Sequence, residues 1–238
     1  MATAPVKKKS PLAFDDASFV SPEMVQRFKE KFWNVHPRDA DRLTKESMEW
    51  FRNTVIKKVN VKAEKLIMSP EYRKKMGTEN HQLIGKMYLY AYKAENAGDA
   101  GAGVYDKFPL VFFFNAQKNK QGKTVLYGIN LHYAPPRIRM ALLLKLLTLR
   151  SSKETRPGMR LKMTWSILKA LSNSTVLGHL VHAYRVDRLE SRLVEIPAQD
   201  WSVVVFLQLA KWTNVAHNTV HQTGHRSKVT KRFSKLKI

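Results

Sequence analysis

Between positions 84 and 149 the chain carries three apolar, aromatic-rich runs set off by polar breaks: IGKMYLYAY, VYDKFPLVFFFN and TVLYGINLHYAPPRIRMALLLKLL. In the first, Met87, Leu89 and Ala91 alternate with Tyr88, Tyr90 and Tyr92. A period of two predicts a strand. Residues 110–115, LVFFFN, are continuously apolar up to Asn115, the pattern of a strand buried on both faces. Residues 118–123, KNKQGK, read as a turn, and residues 124–133 as a third strand. Pro135 and Pro136 end that strand, and residues 137–149 predict a helix with Ile138, Leu142, Leu146 and Leu149 on one stripe. The small-residue run 94–103, AENAGDAGAG, predicts a mobile loop.

The flanks carry weaker periods. Ser21-Pro22-Glu23 is a helix start, with proline at the first helical position, and Met24, Phe28 and Phe32 then recur every four residues. His36-Pro37 ends that helix, because the residue before proline is disfavoured in helical geometry. A second helix is expected over 39–58, with Leu43, Ser47, Trp50, Phe51 and Val55 on one side. Asp39 and Asp41 stand near its positive end, and Lys57 and Lys58 near its negative end. The two helices predict a hairpin that packs on the core or on a neighbour. Within 59–82, Val59-Asn60-Val61 suits a short strand and Ser69-Pro70-Glu71 to Gly77 a short helical turn or basic loop; 161–171 read as a helix, 175–189 as helix, 191–197 as a strand, and 200–209 as strand rather than helix on its valines.

These elements predict an α+β fold: a small, mostly antiparallel sheet or partly open barrel with inserted helices, an N-terminal helical hairpin and basic terminal arms. The organisation expected is a flexible basic arm over 1–20, a helical region over 21–80, an α+β core over 81–213 and a basic tail over 214–238.

Charge changes the picture most. Forty-two Lys and Arg stand against 19 Asp and Glu, a net charge of +23 and a pI near 10.2. An excess of that size repels itself unless a polyanion relieves it, and nucleic acid is the default partner because neutralised phosphates release counterions. The apolar fraction of 44% supports a real core. The absence of cysteine excludes disulfides, thiolate metal sites and a Cys nucleophile. The N-terminal MATAPVKKKSPLAF has no apolar run after its lysines, so no secretory signal is read, and no apolar stretch approaches membrane-spanning length. No membrane association is expected.

The candidate chemistry is thin. Gly122-Lys123-Thr124 echoes a phosphate loop, but Gln117 stands where its first glycine belongs, and a strand follows instead of a helix. The reading is a hairpin turn with exposed lysines. His217, His221 and His225 are spaced by four, but Gly224 interrupts them and no acid follows Asp200, so a polar linker is expected and no zinc site. His179 and His182 read as partly buried structural residues. Asp187, Glu190 and Glu195 are the nearest approach to a nuclease cluster, yet each lies close to Arg188 or Arg192, and surface ion pairs are the expectation. No enzyme, metal or cofactor is predicted. The basic segments offer more. Arg226, Lys228, Lys231, Arg232, Lys235 and Lys237 occupy the last 13 residues without an acid. Arg137, Arg139, Arg150, Lys153, Arg156, Arg160 and Lys162 bracket an expected helix–loop–helix and are read as a second stripe of phosphate contacts.

The series GKMYLYAY, YDKFPLVFFF, LYGINLHYAPPRIRMALL, LKMTWSILKALS and SRLVEIPAQDW resembles the DNA end protector proteins of T4-like tailed phages. The positions that carry the resemblance are Tyr105, Asp106, Phe108, Pro109 and Leu110, then Gly128, Asn130, His132, Tyr133 and Pro135, within roughly residues 80–213. The resemblance implies a virion protein added late in head assembly. Such a protein binds the ends of packaged double-stranded DNA and shields them from host exonuclease after injection, so it occupies the virion and, during assembly and after injection, the host cytoplasm. It implies no catalytic residues. Asn130, His132 and Tyr133 read as hydrogen bonds that close a strand end.

Two other readings stay beside it. One is a head–tail connector or neck component whose basic surface meets portal, neck or other head-completion proteins and touches DNA non-specifically. The weaker one is a metal-dependent nuclease built on Asp187 or Glu195.

Overall fold

The computed structural model describes residues 21–33, 35–56, 83–94, 105–151 and 178–209. The expected N-terminal arm, the 59–82 segment, nearly all of the Ala/Gly-rich loop, the 161–171 helix and the basic tail lie outside the described residues.

Five strands make one open antiparallel sheet: β1 (Met87–Leu89), β2 (Leu110–Lys118), β3 (Thr124–Asn130), β4 (Val181–Arg185) and β5 (Val194–Ile196). Their order is β4-β3-β2-β1-β5, so β4 and β5 are the edges. Every named pair is antiparallel. The fold is thus the α+β expected, as an open sheet.

β2 is the strand buried on both faces that its unbroken apolar run predicts. Leu110, Phe112 and Phe114 face one hydrophobic cluster, and Val111 and Phe113 face another. The first cluster lies under the helices. Val25, Phe28 and Phe32 reach it from α1 (Pro22–Trp33), and Phe51 and Val55 from the π-type turn that continues α2 (Ala40–Trp50). Leu143, Leu146 and Leu147 enter from α3 (Pro136–Ser151), and Trp201 and Val204 from the short α4 (Trp201–Val204). The N-terminal hairpin therefore packs on the sheet's own core. Each large apolar side chain so enclosed contributes about 1.5–3 kcal/mol.

The opposite face has no α-helix among the described residues. Tyr88, Tyr90, Tyr92, Phe113 and Tyr184 form an aromatic layer, with Tyr92 and Tyr184 edge-to-face at 5.1 Å. The β4–β5 connection covers it: Val186, Leu189 and Leu193 pack there, Lys93 N–H donates to Arg188 O, and Glu190 N–H donates to Ala91 O. Both faces of β1 are buried, although its alternation of Tyr with Met and Leu suits a half-exposed strand equally well.

Three expectations need correction. Residues 175–189 do not form a helix where they are described. A 3-10 turn (Gly178–Leu180) leads into β4, which pairs with β3 from Ile129↔Val181 to Val125↔Arg185. A free sheet edge decides that segment over its local preference. Residues 200–209 are not a strand: α4 follows a 3-10 turn (Ala198–Asp200), and the Trp201 indole N–H donates to Ile196 O at 3.0 Å. The helix after Pro135 turns a different face inward. Arg139, Leu143, Leu146 and Leu147 are buried, while Ile138 is 37% exposed. Leucines and basic residues are mixed around that helix, so its period alone does not select a face.

Candidate nucleic-acid interface

The expected phosphate-binding stripe begins at α3, where the two prolines that cannot extend β3 start a helix. Arg139 N–H donates to Pro135 O at 2.9 Å and closes the first turn. Arg137 is exposed on that turn. Two positions later Arg139 is 3% exposed. Its Nε donates to Leu131 O at 3.0 Å, its Nη2 to Ala134 O at 3.2 Å, and its Nη1 to Val204, Val205 and Leu207 O at 3.3, 3.0 and 2.9 Å. Burial lowers its pKa to about 10, which still leaves it charged at neutral pH. Arg139 is thus removed from the DNA-facing set. Its guanidinium satisfies carbonyls at two chain turns that no regular ladder reaches.

At the exit of β3 lies a polar knot. Asp106 Oδ1 accepts from Phe108 N–H at 2.9 Å. Asp106 Oδ2 faces His132 Nδ1 at 2.6 Å and Asn130 Nδ2 at 3.4 Å. Asn130 Oδ1 accepts from His132 N–H at 3.0 Å and caps the 3-10 turn that follows β3. Asp106, Asn130 and His132 are all buried. A carboxylate against an imidazole resembles part of a hydrolytic relay, but a reacting group needs access to its substrate, and here it is sealed. The knot joins the lead-in to β2 to the exit of β3. Beside it His182 stacks on Tyr133 at 4.1 Å between centroids, and burial lowers the His182 pKa to about 4.

Two of the three acids considered for metal are engaged in ion pairs. Asp187 bridges Arg185 at 2.7 Å and Lys123 at 3.0 Å. The Arg185 hydrogen bond is the main cause that pulls its carboxyl down to about 2. Glu195 faces Lys86 at 3.3 Å across β1 and β5. Among the described residues no group of three His, Asp or Glu is arranged to hold a metal ion, and no helix is long and apolar enough to cross a membrane.

The turn between β2 and β3 carries three lysines. Asn119 Oδ1 accepts from Gln121 N–H at 3.0 Å and Lys123 N–H at 2.9 Å, and Gly122 adopts φ 73°. Lys118, Lys120 and Lys123 are exposed around it. This is the turn with exposed lysines that the sequence predicts, although those lysines were not among the expected DNA contacts. One signal marks them: no Asp or Glu stands between Asp106 and Glu154.

Of the expected DNA-contacting residues, Arg137 is exposed and Arg139 buried, and Arg150 lies on the last turn of α3. Lys153, Arg156, Arg160, Lys162, Arg226, Lys228, Lys231, Arg232, Lys235 and Lys237 lie outside the described residues. So does most of the positive excess, since the described residues hold 20 of the 42 Lys and Arg and 11 of the 19 acids.

The sequence model of the phage T4 terminal DNA protecting protein family matches residues 8–223. The chain belongs to that family. The match reaches well beyond the 80–213 span on which the resemblance rests, taking in the N-terminal helices and leaving out 224–238. No curated protein and no solved structure matches the chain. Membership supports a general DNA-binding, phage-structural role.

Proposed function

We propose that this chain binds the ends of packaged double-stranded DNA late in head completion and shields them from host exonuclease, in the virion and after injection. It acts by occlusion, without chemistry. The observation that carries the reading is the family match over residues 8–223 in a chain of net charge +23. Electrostatics agrees with it: phosphates supply sequence-independent affinity, and a DNA end carries the same phosphates as any duplex. The basic tail over 226–237 and the cations Arg137, Arg150, Lys153, Arg156, Arg160 and Lys162 are the proposed contacts.

The test is protection of a linear blunt duplex from a processive exonuclease, with a covalently closed circle of equal length as competitor. Protection at few proteins per duplex, with poor competition from the circle, is the expected result. Equal competition and a need for full coating would overturn end recognition. Discrete, nuclease-resistant complexes with a portal or neck protein would then favour the connector reading.

A further inference from the structure

We propose that the β2–β3 turn is a preformed phosphate-contact point for duplex DNA, with Lys118 and Lys120 as the contacting side chains. The inference rests on the DNA-binding reading above and adds a site to it.

Three observations carry it. The first is shape. The last β1 pairing on β2 is Met87↔Phe112, and the last β4 pairing on β3 is Arg185↔Val125. Only the Lys118↔Thr124 pair and the turn it closes extend past these pairings, and Lys123 is held by Asp187 just beyond β4. A short tip of this kind suits contact with the phosphate backbone, the sequence-independent part of a duplex.

The second is rigidity. Gly122 N–H donates to Asn119 O, and Asn119 N–H to Lys123 O, both at 2.9 Å. The Asn119 side chain binds two further amides. The tip is therefore fixed without a ligand, and little backbone entropy remains to be lost on contact. The outer edge of β2 is closed as well: a bulge separates Phe113 from Asn115, and Asn115 Oδ1 accepts from Ala116 N–H at 2.8 Å. The edge amide that would otherwise invite another strand is occupied.

The third is unbalanced charge. Lys123 shares the Asp187 carboxylate with Arg185. Lys118 and Lys120 have no carboxylate partner among the described residues. Edge lysines also guard against strand pairing, but Lys120 sits in the turn, where no ladder bond is available to guard.

The experiment compares the full chain with its Lys118→Gln/Lys120→Gln variant, binding a short blunt duplex over a salt series. Lys45→Gln on α2 serves as the surface control. With two phosphates left unneutralised, the slope of log affinity against log salt flattens by roughly 1.8, and affinity near ~0.1 M salt falls about tenfold or more. The control keeps the parent slope, and all three proteins melt alike. A double variant with the parent's slope overturns the inference while the DNA-binding reading stands, and the lysines are then edge guards. A parent without salt-dependent DNA binding overturns both. If the double variant keeps the parent slope but loses a complex with a head-completion protein, the turn is a protein contact.

Discussion

Arg139 Nη1 and the carbonyl of Leu207 meet at 2.9 Å, although 68 residues separate them in the chain. That contact, with its neighbours at Val204 and Val205, fastens the segment after β5 to the first turn of α3. Replacing Arg139 with Leu removes the donor and leaves buried carbonyls without partners. The expected loss is about 3 kcal/mol or more in urea unfolding, since bonds to a charged donor contribute ~1.5–3 kcal/mol each. Arg137→Ala, two positions away and exposed, leaves stability within about 0.5 kcal/mol. Equal effects from the two substitutions would show that Arg139 is not a structural tie.

Gly128 and Gly122 resist substitution for different reasons. A Cβ on Gly128 would stand 2.8 Å from Phe112 O and 2.9 Å from the Phe113 ring, with Val111 closer still. Phe112 O is backbone and cannot rotate away, so Gly128→Ala costs about 1–3 kcal/mol or more. At Gly122 nothing lies within 4 Å, but φ is 73°. There Gly122→Ala costs about 1–2 kcal/mol, and Gly122→Asn, which tolerates that region, costs less. Melting temperatures of the three variants check the ranking, and Gly122→Asn as damaging as Gly122→Ala would sink the conformational explanation.

How much of this was legible in the sequence follows from where partners come from. β2 is readable because five buried residues in a row leave its pattern no other meaning. The 118–123 turn is readable because Asn119 and Gly122 carry its geometry locally. β4 is not, since Val181-His182-Ala183-Tyr184-Arg185 takes its conformation from β3, more than fifty residues earlier. Arg139 misleads for a related reason. A basic residue on a basic helix reads as surface, and only the distant carbonyls of residues 204–207 reveal it as core. Asp106 and His132 carried the family resemblance, and a pattern of spacings gives no sign that they touch.

The Asp106–His132 contact is expected to be structural. Asp106→Ala removes an acceptor that serves Phe108 N–H, Asn130 Nδ2 and His132 Nδ1 together. Buried donors left without acceptors cost about 1–3 kcal/mol each, so the variant loses several kcal/mol or does not fold. Asp106→Asn restores an acceptor for one donor and recovers part of that loss. If Asp106→Asn instead folds with unchanged stability yet loses exonuclease protection, the knot belongs to function.

Acid should weaken the fold through His182. Its Nε2 is buried without a hydrogen-bond partner, and burial lowers its pKa from 6.5 to about 4. The unfolded chain therefore binds the proton more readily than the folded one between those two values. Stability from this group is fully present above pH 6.5 and is lost as pH falls toward 4, by about 2–3 kcal/mol. Asp187 adds a later loss: its carboxyl, held near 2 by Arg185, gives up its contribution only as pH falls below 3.8, and its exposure keeps that contribution small. Unfolding midpoints from pH 8 to 2, set beside those of His182→Phe, separate the two groups. The variant has no ring to protonate, so its profile should be flatter between pH 6.5 and 4 and should fall with the parent's below that. A variant that tracks the parent through the whole range would place the acid sensitivity elsewhere.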